Sequence, residues 1–324
     1  MKTYQISNTD LEVSRIAYGC MKIGGRWDVS PPTEDDRGTA ARACMAAFDA
    51  GINLFDHADI YARGKSETVF GDFLAATPGF RDKIVLQSKC GIRIANTPNP
   101  GDPQRYDFSY KHIVSSAETS LQRLRTDRLD ILLLHRPDAL VEPAEVARAF
   151  DDLYSSGKVR YFGVSNHTAG QIALLQKFVR QRLIINQVEL SLLHSNLIAE
   201  GIHANRPDAS CMLASGMLDY CRLNDMLIQA WGPVASGKLF KQDVELTPAE
   251  RNTAELVRKL AAEKQTSPEA IMIGWLLRLP VGIQPIVGTT NPERIAASCL
   301  ADPLELTREE WYTLYTAARG TPLP

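Results

Sequence analysis

No apolar run in this sequence approaches the roughly 20 residues that span a bilayer, so no membrane partner is expected. Charge of one sign is missing too: 36 Lys and Arg face 38 Asp and Glu, a formal net charge of −2. That balance gives no electrostatic reason to expect nucleic acid or an anionic surface as partner. The opening Met1-Lys2-Thr3-Tyr4-Gln5 lacks the apolar stretch of a secretory signal. Six cysteines (Cys20, Cys44, Cys90, Cys211, Cys221, Cys299) lie scattered, with no C-x-x-C pair. Their spacing points to free thiols in a cytoplasmic, reducing setting and away from a disulfide frame or zinc site. Internal repeats, low-complexity tracts and domain linkers are absent, which favours a single domain over 1–324. There is no N-terminal G-x-G-x-x-G fingerprint, which argues against a Rossmann dehydrogenase.

What is present is an ordinary globular balance, 44% apolar and 23% charged, arranged in alternating short and long segments. Eight short runs read as strands: Val13–Tyr18, Ile52–Asp56, Ile84–Ser88, Asp130–Leu134, Val159–Val164, Ile184–Glu189, Met226–Trp231 and Ile283–Gly288. Most are continuously apolar, as parallel strands buried on both faces require. Helix punctuation fills the gaps. Thr33 precedes Asp35 and Asp36, and Gly51 closes that segment. Thr247-Pro248-Ala249-Glu250 joins an N-cap, a first-turn proline and a capping-box glutamate. Ser267-Pro268 and Asn291-Pro292 repeat the cap, and Thr307 with Glu310 opens a C-terminal helix over 307–319. Eight strand-helix units predict an α/β fold, a closed (β/α)8 TIM barrel. Tyr4–Ile6 and Leu11–Val13 are placed to form a hairpin plugging the barrel bottom. Two stretches, Arg93–Asp107 and His194–Gly216, are longer than barrel loops need and read as walls of a pocket.

Barrel enzymes carry their chemistry at the C-terminal strand ends. Here those ends are polar: Asp56, Lys89, His135, Ser165 with Asn166, Asn186 with Gln187, Trp231, and Thr289 with Thr290. Asp56 alone reads as well as a helix cap, and His135 alone as a satisfied core histidine. Lys89 is harder to explain away, because a lysine ending a buried strand needs a carboxylate or water. On successive strands Asp56, Lys89 and His135 become neighbours, and a shared site follows. His57 and Asp59 flank the second strand end, but no further ligands at suitable spacing accompany them, so no metal is expected.

Four segments resemble the aldo-keto reductase superfamily, bacterial oxidoreductase branch. They are Gly51-Ile52-Asn53-Leu54-Phe55-Asp56-His57-Ala58-Asp59-Ile60-Tyr61 with Ser66-Glu67, then Leu129–His135, Gly157–Asn166 and Ile185–Glu189, in that order. The resemblance covers about Val13 to Leu300. It implies a monomeric barrel that reduces carbonyls of small molecules with NADPH and forms NADP+. It assigns Tyr61 as general acid, with Lys89, Asp56 and His135 tuning and orienting it. A tyrosine of unperturbed pKa about 10 is too weak an acid unless a nearby cation stabilises its phenolate.

By the same resemblance, Ser165, Asn166 and Gln187 hold the nicotinamide carboxamide, and Trp231 stacks on its ring where the family more often has tyrosine. Gly19, Cys20 and Met21 follow the first strand beside the cofactor, and Met21, Trp27 and His57 are expected to face substrate. The loop Gly232, Pro233, Val234, Ala235, Ser236, Gly237, Lys238 imitates a Walker A motif, but Leu239 stands where the hydroxyl residue belongs. The family reading makes it a wrap for pyrophosphate. Gly288, Thr289, Thr290, Asn291, Arg294 and Ser298 fall at the adenosine end. Gly288 replaces a cation found there in many members, so NADH is admitted as a weaker alternative to NADPH. The same resemblance also admits another kind of protein, an NADP-binding regulatory subunit with slow or vestigial turnover.

Overall fold

The computed structural model describes residues 1–202 and 216–324. Two short strands, β1 (Thr3–Gln5) and β2 (Glu12–Ser14), form an antiparallel hairpin. Then come β3 (Ala17–Gly19), β4 (Leu54–Asp56) and β5 (Val85–Cys90), followed by a small antiparallel pair, β6 (Ile92–Arg93) and β7 (Arg105–Tyr106). The remaining strands are β8 (Leu129–Leu134), β9 (Val159–Ser165), β10 (Leu183–Glu189), β11 (Leu227–Trp231) and β12 (Ile283–Val287). Parallel pairing runs β3-β4-β5-β8-β9-β10-β11-β12 and returns from β12 to β3. The fold is a (β/α)8 barrel.

The first expected strand, Val13–Tyr18, is two elements in the structure. Val13 pairs with Tyr4 in the hairpin, and the barrel strand begins only at Ala17. The break falls where the Arg15 backbone N–H turns to Lys2 O and Ser14 N–H turns to the Asn53 side chain. The hairpin seals the barrel from below. Ile6, Leu11 and Val13 pack with Leu54, Val85, Ile131, Leu133, Ile185 and Ile286, and Tyr4 donates to Ile283 O. Full burial of such a side chain contributes about 1.5–3 kcal/mol, so the plug is also a stability element.

Helices α1 (Glu34–Asp49), α2 (Lys65–Ala76), α3 (Tyr110–Leu124), α4 (Pro143–Ser155) and α5 (Ala169–Phe178) alternate with the strands. Short α6 (Asn196–Ile202) and α7 (Met217–Leu223) bracket the middle of the long loop expected over 194–216, whose residues 203–215, His203 and Cys211 among them, lie outside the described ones. The ring is completed by α8 (Pro248–Glu263), α9 (Pro268–Leu277), α10 (Pro292–Cys299) and α11 (Arg308–Arg319). Thr33 with Asp36, Thr247 with Glu250 and Thr307 with Glu310 form reciprocal capping boxes. From Ala270 onward helix α9 is apolar on all sides, because the strands lie on one side and α11 on the other. There Trp275 stacks on Trp311, and each indole N–H donates to the other residue's carbonyl. The Arg93–Asp107 stretch is no open loop: β6 and β7 pair within it, and Arg93 Nε meets Asp107 Oδ2 at 2.6 Å.

Candidate active site

Alternation along the strands decides which side chains enter the barrel. On β4, Asp56 points inward and is 2% exposed. On β5, Gln87 and Lys89 point inward, whereas Ser88 turns outward to Glu67 of α2 at 2.7 Å. Lys89 is fully buried, and its ammonium has three partners, each at 2.8 Å: Asp56 Oδ2, His57 O and the Tyr61 hydroxyl. Burial works against its charge, but Asp56 and Tyr61 overcome that, and its pKa is raised above the ordinary lysine value. Removing one partner from such a buried pair costs about 3–5 kcal/mol, so Asp56 and Lys89 stand or fall together.

Tyr61 opens a 3-10 turn in which Ala62, Arg63 and Gly64 have φ of 47, 59 and 88°. A Cβ at Gly64 would lie 2.4 Å from the Arg123 guanidinium carbon, so glycine is required there. Arg123 braces this turn, donating to Asp59 O at 2.8 Å and to Glu67 Oε2 at 3.3 Å. Burial pushes the Tyr61 phenol up, with Lys89 pulling against it. His135 follows β8, its ring centroid 5.9 Å from that of Tyr61 and nearly perpendicular to it. Burial, then Lys89 and Arg136, hold its imidazole well below the ordinary histidine range, so it is neutral. Its Nδ1 is buried without a partner. Asp56, Tyr61, Lys89 and His135 therefore meet at one point of the rim.

The neighbouring strand ends form a second group. Asn166 donates to Ser165 Oγ at 2.8 Å and to His135 O at 3.3 Å, and its Oδ1 accepts from Trp231 Nε1 at 3.1 Å. Ser165 Oγ donates to Gln187 O, tying β9 to β10. Gln187 is less free than its sequence position suggests, because its Nε2 donates to Asp56 Oδ1 at 3.1 Å and Gln229 Oε1 at 3.0 Å. The Arg136 guanidinium, which no sequence signal singled out, sits 5.7 Å from the Trp231 ring centroid.

After β11, Gly232 has φ 67°, and Ala235, Ser236 and Gly237 are successive left-handed residues that fold the loop after Val234 into a tight turn. Lys238 from that loop is ion-paired with Glu250 of α8. A Cβ on Gly237 would sit 3.4 Å from the Arg294 guanidinium, so this loop and the start of α10 lie side by side. Arg294 is exposed and pairs with Glu269 at 3.4 Å. Asn291 caps α10 by accepting from Arg294 N–H, and its own N–H reaches Thr289 Oγ1. Thr289 O accepts from Tyr18, next to Gly19, while Gly288 is exposed and Thr290 half-buried on the same loop.

Three expected contacts are placed elsewhere. His57, next after inward Asp56, points outward, fully buried edge-on against Phe70, so it does not face substrate. Burial drives its pKa down to about 3. Cys20 is fully buried in the layer between barrel and helices, its thiol pushed well above the ordinary value. Ser298 is 4% exposed, and its hydroxyl is spent on Arg294 O one turn back in its own helix. Met21 and Trp27 do reach solvent, at 42% and 49% exposure.

A family model described as the aldo/keto reductase family matches residues 15–318. The oxidoreductase YcsN of Bacillus subtilis strain 168 is 36% identical over 97% of each chain. A 6-dehydroglucose reductase of Agrobacterium fabrum strain C58 is 37% identical over 96% of each. Among solved structures, a glycerol dehydrogenase from Gluconobacter oxydans superposes with a TM-score of 0.81 at 26% identity, covering 100% of this chain and 97% of its own. A barrel whose rim joins these side chains, matched over nearly its whole length, belongs to the aldo/keto reductase family.

Proposed function

We propose that this chain is an NADPH-dependent oxidoreductase that reduces aldehydes or ketones to alcohols, with Tyr61 as general acid. The observation that carries the reading is the Lys89 ammonium, 2.8 Å from both Asp56 and the Tyr61 hydroxyl. Carbonyl reduction needs a hydride at carbon and a proton at oxygen. The donor set fits a nicotinamide dinucleotide: two amides beside a half-buried indole at the rim, then a tight turn and an arginine further along. NADPH, when bound, supplies the hydride.

The remaining work falls to the chain. Tyr61 enters with its proton in place, because burial keeps the phenol up. As the proton leaves for the carbonyl oxygen, the adjacent Lys89 charge stabilises the phenolate. Asp56 keeps Lys89 charged and oriented. Neutral His135 donates through one ring nitrogen to the carbonyl oxygen and fixes its position. Ser165, Asn166 and Gln187 orient the carboxamide, and Trp231 gives the ring a flat apolar wall. Arg294 with Thr289 and the N-terminus of α10 receives the 2′-phosphate, which favours NADPH and leaves NADH the weaker alternative.

The test mixes the purified protein with NADPH, then NADH, and a carbonyl panel while reduced-nicotinamide absorbance is followed. The name of the Agrobacterium relative puts sugar aldehydes first in that panel. Oxidation of NADPH with at least one carbonyl is expected. Tight NADPH binding with no turnover on any of them would favour a regulatory subunit instead.

A further inference from the structure

Beneath the four rim residues, three glutamines lie wholly inside the barrel: Gln87, Gln229 and Gln284, each 0% exposed. Buried amides in a barrel core are costly unless every donor and acceptor is satisfied. These are joined into one chain. Gln284 Nε2 donates to Ser14 O at 2.7 Å, and Gln229 Nε2 donates to Gln284 Oε1 at 2.9 Å. Gln229 Oε1 accepts from Gln87 at 2.9 Å and from Gln187 at 3.0 Å. Both of those amides also donate to Asp56 Oδ1, at 2.5 and 3.1 Å. A return bond from Gln229 Nε2 to Gln87 Oε1 at 3.2 Å completes Gln229, whose two N–H groups and two lone pairs are all used.

The polarity of this chain is set at its far end. A backbone carbonyl only accepts, so Gln284 must offer Ser14 its NH2 and turn its oxygen to Gln229. Gln229 must then turn its own oxygen to Gln87 and Gln187, and their N–H groups must face Asp56. Reversing any amide sets oxygen against oxygen in a dry site. We propose that Gln229 and Gln284 are positioning residues of the site, holding Asp56 as the acceptor of Lys89 through a directed amide chain anchored on the Ser14 carbonyl. The inference rests on the reductase reading of the Asp56, Tyr61, Lys89 and His135 cluster. It also fixes Gln187: with both N–H groups spent, only its oxygen is left to meet a carboxamide N–H.

Gln284 hydrogen-bonds to Gln229 and Ser14 and to none of the four rim residues, which makes it the position to change. Gln284→Met fills the space but removes the acceptor of Gln229, so the amides above it lose their direction. Gln284→Glu, kept protonated by burial, can donate its O–H to Ser14 O and still offer Gln229 an acceptor. The expected result is that the Met variant loses about tenfold in kcat while NADPH affinity stays within about twofold. Its alkaline limb moves to lower pH, because a loosely held Asp56 lets Lys89 lose its proton earlier. The Glu variant recovers most of the rate and the wild-type limb, though it melts at lower temperature. A role in packing alone gives the opposite order, with apolar Met tolerated and the buried acid worse; that order, or an unchanged Met variant, overturns the proposal. Where one variant does not fold, the other decides by the same criterion. A wild-type protein that turns over no carbonyl defeats the reductase reading separately. The chain is then decided by the titration of Lys89, the one buried lysine among the described residues, followed by 13C NMR. Titration at lower pH in Gln284→Met supports the chain, and equal titration overturns it.

Discussion

The Trp231 indole N–H donates to Asn166 Oδ1 across 3.1 Å, and that bond decides which way the Asn166 amide points. With its oxygen taken by the indole, Asn166 sends its N–H groups to Ser165 Oγ and His135 O. A phenylalanine at 231 keeps a flat apolar wall but has no donor. Trp231→Phe is expected to weaken nicotinamide binding by about 3- to 10-fold, the loss of about one net hydrogen bond. Titration of NADPH by fluorescence checks this, and affinity equal to wild type would show that the indole bond orients nothing.

Tyr61 lies against Lys89 in a turn that Arg123 braces, so removing only its oxygen leaves the scaffold intact. Tyr61→Phe is expected to bind NADPH within about twofold of wild type and to lose at least about 100-fold in kcat, the usual scale of general acid catalysis. Thermal unfolding should change little. A fully active Tyr61→Phe protein would remove tyrosine from the mechanism.

The barrel was legible in the sequence because each of its strands is buried on both faces and therefore reads as an apolar run broken by a polar end. Asp56, Lys89 and His135 were found by that rule, and the assignment of Tyr61 came from the family motif. The rule failed where side-chain direction mattered. His57 sits in the motif next to Asp56, but strict alternation sends it to the helix layer against Phe70. Val13 reads as part of the first barrel strand because an apolar residue before a barrel strand looks the same whether it pairs with β12 or with β1. The glutamine chain was hidden for another reason. Gln87, Gln229 and Gln284 each appear as a single polar residue inside an apolar run, and only closure of the ring brings β5 opposite β11. The brace formed by Glu67 and Arg123 likewise joins helices α2 and α3, a contact that no local pattern encodes.

Arg294 pairs with Glu269 at 3.4 Å and borders the turn at Gly237, an exposed cation that the proposed function assigns to the 2′-phosphate. On the proposed NADPH reading, with no charge at Gly288, Arg294 is expected to carry most of the discrimination between the two dinucleotides. Arg294→Ala should weaken NADPH by about tenfold while NADH changes by less than about twofold, the loss of one charge-assisted phosphate contact. Equal weakening of both would assign Arg294 to adenine stacking instead.

Asp59 gives the stability of the fold a pH dependence of its own. Its Oδ1 is buried without a partner, and burial, reinforced by Glu67, pushes its carboxyl up to about 8. In the unfolded chain the same group titrates near its ordinary value of about 3.9. The folded state thus binds the proton more tightly. Its contribution to stability is full below the unfolded pKa and is lost as pH rises through about 8. An amide at this position is neutral throughout and can donate toward Glu67. Asp59→Asn is therefore expected to melt close to wild type near pH 5 and several degrees above it near pH 9. Scanning calorimetry across that range reads the gap directly. A gap that stays constant with pH would mean that Asp59 is ionised in the folded protein and has a partner for its charge.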